Sequence, residues 1–396
     1  MDFRDSPEEA RFREEFRSWL EAHLPPHRER YRAAATGEER LRAAAGWQAE
    51  LFRAGYGALG WPLEHGGRPS SALERYLVVE ESARAAAPWH LNMAVTLGWC
   101  APALLAFGSE AQCRQHLQEM LGGREVWCQM FSEPDAGSDL AALSTRADRD
   151  GDFFVLNGQK VWSSGAQWSR WGILLAKTAD GPRYRNLTFF IVAMDAPGIT
   201  VRPIRQITGE SDFAEVFFTD CRIPADWVVG EVGEGWSVAL YTLLNERVAL
   251  SAGAGAAILA IQGLERLLDL VRNLQRNGRP AGADPLVRQR VAQAWIEAQA
   301  NRLTGYRVLD AQFKGRSPGP EASILKLSGD LWSQRVSELA VELLGMRGVL
   351  AGAGEGDGPG PAESLLMSRA LTIGGGTSEI QRNIIAERVL GLPRQR

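Results

Sequence analysis

The sequence predicts a multidomain α+β chain: one helical region, a compact β region, then a second helical region. Three observations carry this prediction. Apolar residues recur at helical spacing up to about residue 123 and again from Gly235 onward. Between about 124 and 230 they alternate instead, with Asp-Gly and Asn-Gly pairs among them. The length of 396 residues, 45% of them apolar, suits two or three domains with real cores. The expected boundaries are 1–123 for the first helical domain, 124–233 for the β domain and 234–396 for the second helical domain.

Ser6-Pro7-Glu8-Glu9 reads as a helix start, with an N-cap serine, proline at the first helical position and acids in the first turn. Phe12, Phe16, Trp19 and Leu20 then share one face, and Pro25-Pro26 is expected to stop the helix. Further helices are expected at about 38–54, 71–86, 90–106 and 110–121. The stretch from Asp148 to Ser164 holds Asp150-Gly151 and Asn157-Gly158, both read as hairpin turns. "WGILLAKTA", "NLTFFIVAM", "GITVRPI" and "AEVFFTDCRIP" follow as strands. From Gly235 to about Gly278 the pattern reads as one very long helix. A second is expected from Pro285 to Lys314 and a third up to Gly345. A glycine-rich loop near 352–360 follows, and a last helix after Thr377 ends at Gly391 and Pro393.

Composition excludes several classes. Net charge is −4 with no long basic run, which argues against nucleic acid. The four cysteines (100, 113, 128 and 221) form no CxxC and no tight framework, so a reduced, cytoplasmic protein is expected. The charged N-terminus lacks the apolar core of a signal peptide, and no apolar run is long enough to span a membrane. The five histidines are scattered without metal-ligand spacing, so no metal site is expected. Gly253-Ala254-Gly255-Ala256-Ala257 mimics a dinucleotide loop. It sits inside a helical pattern with no strand before it, so small residues for close helix packing are the better reading.

Chemistry concentrates in four stretches. "QMFSEPDAGSDLAAL" (129–143) combines hydroxyls, a rigid proline and a permissive glycine. Such a loop aims N–H groups and hydroxyls at a flat or anionic ligand, although by composition alone it is also an ordinary surface turn. With "NGQKVWSSGA" (157–166), "NERVALSAG" (245–253) and "IGGGTSEIQRNIIAERVLG" (373–391), it closely resembles the acyl-CoA dehydrogenase family in order and spacing. The resemblance covers the whole chain. It implies that family's fold: an N-terminal helical domain, a middle β-barrel or sandwich domain and a C-terminal four-helix bundle. It implies FAD as cofactor and oxidation of an acyl-CoA thioester to trans-2-enoyl-CoA, with a carboxylate taking the α-proton and the β-hydrogen leaving as hydride to flavin N5. By the same resemblance Phe131 and Ser132 contact the flavin, and Ser138 lies near the cofactor or the substrate's phosphopantetheine. Trp162 covers the ring, Ser164 bonds near N5, and Thr377 and Glu379 contact FAD.

The three glycines before the last helix pose a question about the base. Ser378 and Gln381 read as a capping box, and glycines let a cofactor approach a helix N-terminus. Many relatives carry the catalytic Glu in a Tyr-Glu-Gly-Thr run, but here the matching position, beside the substrate, is Gly375. Isovaleryl- and long-chain acyl-CoA dehydrogenases place the Glu on the long helix after the β domain, before an Arg. This chain has Glu246-Arg247 there, which implies Glu246 as base and Arg247 beside the substrate. Ala239, Thr242, Glu246, Ala249 and Gly253 share one helical face, a lane of small residues with one acid. The neighbours of Glu246 at helical spacing, Leu243, Ala249, Thr242 and Leu250, include no cation.

Two stretches depart from the family. Where many relatives have Arg-x-x-Phe reaching a neighbouring subunit's FAD, this chain reads "NGRPAGADP", in which Arg279 is the candidate substitute. Where they have Gln-x-x-Gly-Gly, it reads Glu342-Leu343-Leu344-Gly345-Met346. The resemblance implies an acyl-CoA substrate, electron-transfer flavoprotein or a similar acceptor, and a homotetramer or a heterotetramer with a paralogue. A same-fold oxidase and a non-catalytic or co-catalytic partner subunit remain the alternatives.

Overall fold

The computed structural model describes residues 5–251, 262–276, 278–313, 319–350 and 360–394. The chain forms two compact units. One comprises His23–Ser70 and Ala87–Glu246; the other comprises Met1–Ala22, Ser71–Ala86 and Arg247–Arg396. Helices, then strands, then helices follow one another in the expected order. None of the described helices is long and apolar enough to cross a membrane.

The first helix, α1 (Pro7–Arg32), begins as expected: Glu9 N donates to Ser6 Oγ, and Ser6 N donates to the Glu9 carboxylate. It does not stop at Pro25-Pro26, which lie inside it. Two missing N–H donors cost helical hydrogen bonds, but packing beyond them rewards continuation. Leu24 is buried, the His27 ring lies tilted against Trp47 with centroids 5.4 Å apart, and Tyr31 OH donates to the carbonyl of Trp89 at 2.6 Å.

In the sheet-bearing unit, α2 (Gly37–Arg53) is started by a capping box of Thr36 and Glu39. After α3 (Ala72–Arg84), which belongs to the other unit, α4 (Leu91–Ala94), a π-helical stretch (Val95–Cys100) and α5 (Ala101–Phe107) run on without a break, and α6 (Glu110–Leu121) follows. Seven strands then form one sheet: β1 (Trp127–Met130), β2 (Arg146–Asp150), β3 (Phe153–Ser164), β4 (Trp171–Lys177), β5 (Leu187–Ala193), β6 (Ile199–Ile204) and β7 (Phe213–Pro224). Their order is β1-β4-β2-β3-β7-β6, with β5 pairing β4. Met130, Leu174, Phe190, Val216 and Ile223 are among its core. The Asn-Gly pair lies inside β3 rather than at a turn, and the register against β7 shifts opposite it: Leu156 pairs Cys221 and Gly158 pairs Phe218, so the extra residue is on β7, where Asp220 has a φ of 47°. A Cβ on Gly158 would meet Thr145 Oγ1 at 2.5 Å, so close approach explains this glycine. Asn157 exchanges hydrogen bonds with Asp220 across the bulge. All four cysteines are buried and unbonded to one another.

α7 (Gly235–Ser251) follows the sheet. The expected continuous helix beyond it, including the 253–257 stretch, runs through 252–261, outside the described residues. α8 (Gly263–Asn273), a small hairpin of β8 (Gln275–Arg276) and β9 (Arg279–Pro280), α9 (Pro285–Phe313) and α10 (Ala322–Leu344) come next. Leu267, Val271, Trp332, Val336 and Leu339 form their shared core, and Trp332 Nε1 donates to the carbonyl of Ala294 at 2.8 Å. α11 (Pro361–Leu371) follows the expected loop, in a stretch for which no element was expected; Pro361 opens it and Glu363 lies in its first turn. α12 (Ser378–Ile384) is capped by Thr377, whose side chain accepts from Ile380 N. The capping box expected on Ser378 and Gln381 therefore starts one residue too late. Gln381 instead bonds the glycine turn.

Candidate active site

In the sheet-bearing unit, one buried ion pair ties two of the sequence motifs together. Lys160 of β3 is completely buried, and its Nζ donates to the carbonyl of Phe131 at 3.0 Å and to Glu133 Oε1 at 2.8 Å. Glu133 also accepts from Ser144 N, Ser144 Oγ and Thr145 N. Burial alone would raise the Glu133 carboxyl. The charge and hydrogen bond of Lys160, with the two hydroxyl-bearing residues, outweigh it and hold the pKa at about 2. The loop after β1 is thereby fastened to β3, and Val161 N donates to the carbonyl of Ser132 at 2.9 Å. Phe131 is buried edge-on to Phe189, Ser132 is half-buried, and Ser138 is exposed.

β3 then does something unusual. Its register against β7 shifts between Lys160 and Ser163, and Trp162 takes a left-handed φ of 62°. A tryptophan in that region is strained. Trp162 is also 59% exposed, and among the described residues its ring makes an edge contact with Phe213 at 6.2 Å. A strained backbone that presents a large aromatic face to solvent is a reason to look for a ligand there. Ser164 is half-buried beyond it, and its carbonyl accepts from Asn92 Nδ2 at 3.0 Å.

Glu246 is 5% exposed on α7, and Gln129 Nε2 of β1 donates to its Oε2 at 3.2 Å. The sequence reading passed over Gln129 as a site residue; its place directly before the "MFSEP" motif was the available signal. The lane of small residues is only partly open. Ala239 and Thr242 are fully buried, while Ala249 is half-buried. Gly253 lies outside the described residues, and Arg247 is half-buried.

The helical unit holds the remaining candidates. Gly375 and Gly376 have φ of 67° and 93°, which favour glycine. Gln381 Nε2 donates to both of their carbonyls at 3.1 Å. Thr377 caps α12, and Glu379 is exposed beside Arg382. Arg279 is exposed on β9. Glu342, on α10, is exposed and paired with Arg290 of α9.

Three family models match successive parts of the chain: the acyl-CoA dehydrogenase N-terminal domain over 6–124, the middle domain over 128–221 and the C-terminal domain over 233–390. The chain belongs to the acyl-CoA dehydrogenase family. Among its relatives, acyl-CoA dehydrogenase IpdE1 of Mycobacterium tuberculosis is 43% identical over 352 residues, which is 88% of each chain. Among solved structures, the Tcur3481-Tcur3483 steroid ACAD has a TM-score of 0.85 at 30% identity, covering 100% of both chains. The ChsE4-ChsE5 complex from Mycobacterium tuberculosis has a TM-score of 0.84 at 31% identity, also covering 100% of both. As an acyl-CoA dehydrogenase, the protein is an FAD-dependent oxidoreductase acting on acyl-CoA.

The residues present fit that cofactor. Ser378 Oγ and Gln381 Oε1 beside the glycine turn, and Gln129 Oε1 beside Glu246, are buried without a hydrogen-bond partner among the described residues. Buried polar atoms are normally satisfied, and a cofactor rich in donors and acceptors answers that need. No cluster of metal-ligating side chains occurs among the described residues.

Proposed function

We propose that the protein removes the α-proton and β-hydride from an acyl-CoA thioester to give trans-2-enoyl-CoA, with Glu246 as the base. The observation that carries this is Glu246 itself: a carboxylate 5% exposed on α7, oriented by the Gln129 amide of β1. Few carboxylates are buried without a task. Gln129 donates to one carboxylate oxygen and so orients the group. FAD, when bound, supplies the acceptor for the hydride. Trp162 is assigned as the cover of the flavin, and Phe131, Ser132 and Ser164 as its further contacts, by the family resemblance. By the same resemblance, Ser138 and Arg247 are assigned to the substrate and Thr377 and Glu379 to the cofactor.

The acyl group is proposed to be bulky and polycyclic. The support is the likeness to the steroid ACAD across the whole chain, together with a base placed on the long helix. The electron acceptor is proposed to be an electron-transfer flavoprotein.

A second reading concerns assembly: this chain works as one half of a heterotetramer with a paralogue. Glu342 is the specific observation. A carboxylate already paired with Arg290 replaces the amide that relatives offer to a neighbour's FAD, and Arg279 stands without the family's phenylalanine. One similar structure is the ChsE4-ChsE5 complex, and another, the Tcur3481-Tcur3483 steroid ACAD, names two proteins. Purification alone and with a candidate paralogue, followed by anaerobic flavin bleaching with a panel of acyl-CoAs, tests both readings. Bleaching by no acyl-CoA in either preparation rejects the dehydrogenase assignment. Full flavin occupancy in the chain purified alone rejects the need for a paralogue.

A further inference from the structure

We propose that Lys326, Asp330 and Gln334, successive turns along one face of α10, are positioning residues for the glycine turn that borders the cofactor. This rests on the reading above that Gly375 to Glu379 serve the FAD site.

Lys326 is 5% exposed. Its Nζ lies 2.6 Å from Asp330 Oδ2 and donates to the carbonyl of Leu371 at 2.8 Å. One turn further on, Gln334 Nε2 donates to the carbonyl of Ser368 and to Thr372 Oγ1, each at 3.2 Å. These contacts gather at the C-terminal end of α11, where a helix leaves carbonyls without partners and favours a cation. The chain beyond is a closed turn. Ser378 N donates back to the carbonyl of Thr372 at 3.1 Å, and Gly375 and Gly376 lie between them in the left-handed region. Gln381 holds the far side of that turn, and the α10 ladder holds the near side.

A purely structural role explains this less well. A buried lysine and a half-buried aspartate must shed most of their water, and an apolar pair of equal volume commonly supports a fold as well. Burial pushes the Asp330 carboxyl up to about 6, against the pull of Lys326. An apolar pair, however, has no donor to place on Leu371. Backbone placement next to the glycine turn is what the ionic pair adds.

The test compares Lys326→Met/Asp330→Leu with wild type, each as the assembled full-length protein. Three readouts are taken: melting of the FAD-stripped protein, the FAD dissociation constant and the visible spectrum of the bound flavin. The double variant is expected to melt within about 5 °C of wild type once stripped of FAD. It is expected to bind FAD about tenfold more weakly, with a shifted flavin band. Wild-type FAD affinity and spectrum in the folded double variant overturn the proposal. If the double variant does not fold, Gln334→Met decides alone: it removes only the bonds to Ser368 and Thr372, and unchanged FAD affinity there overturns the proposal equally. Thr377→Val separates the two readings. Weakened FAD in that variant keeps the turn at the cofactor and confines any failure to the ladder; unchanged FAD rejects the placement of the turn itself.

Discussion

Replacing Lys160 by methionine is expected to unfasten the loop after β1 from β3. Methionine nearly fills the space, so the cost is not a cavity. What disappears is the cationic partner of Glu133, a residue only 5% exposed. Breaking one side of a buried pair costs about 3–5 kcal/mol. Ser144 N, Ser144 Oγ and Thr145 N still donate to the carboxylate, which places the expectation at the lower end, about 3 kcal/mol. Calorimetry is then expected to show a melting temperature lower by on the order of 10 °C. The same pair makes an acid-side prediction. Glu133 is held at about 2 against an ordinary value of 4.5. A lowered folded pKa contributes stability that is fully present above about 4.5 and is lost as pH falls toward about 2. That limb should shrink in Lys160→Met, and Glu133→Leu/Lys160→Met should regain much of the lost stability. A Lys160→Met protein with the wild-type melting temperature and acid limb would refute the claim that this pair joins the two motifs.

Gln129→Leu should slow flavin reduction about tenfold through loss of one hydrogen bond to a charged group. Gln129→Glu should slow it further, because a second carboxylate at that distance forces the pair to share a proton; stopped-flow traces that rank the two the other way contradict the role given to Gln129. Trp162→Gly relieves a left-handed φ, so the FAD-free protein should keep its stability to within about 1 kcal/mol. Its FAD affinity should fall, and unchanged retention of the flavin removes Trp162 from the site. Gly375→Glu meets a φ of 67°, where a side chain costs about 1–2 kcal/mol. Added to Glu246→Gln, it should therefore recover only a small part of the flavin reduction rate.

Elements declared by local pattern were legible in the sequence. The strands of "WGILLAKTA" and "NLTFFIVAM" emerge as β4 and β5, and the Ser6 cap opens α1. What misled were local signals overruled from a distance. Pro25-Pro26 is carried through by the contact of His27 with Trp47 and the hydrogen bond of Tyr31 to the Trp89 carbonyl, and Asn157-Gly158 is kept inside β3 because Thr145 packs close to Gly158 and a bulge on β7 at Asp220 bonds Asn157. α11 was masked by the glycines before it, although Pro361 at its first position was a usable cue. The motif residues proposed for the site come from resemblance. Their supports do not: Lys160 lies 27 residues from Glu133, and Gln129 lies 117 from Glu246. No spacing rule links positions so far apart until the sheet brings them together.

The central claim is that Glu246 takes the α-proton. Glu246→Gln keeps the shape and the contact with Gln129 but removes the base, so FAD and acyl-CoA should still bind. The measurement is stopped-flow flavin reduction by a good acyl-CoA substrate, in the assembly that carries flavin. A loss of at least 10²- to 10⁴-fold is expected, the usual cost of losing a general base. Reduction at the wild-type rate would contradict the assignment and return the search to another carboxylate.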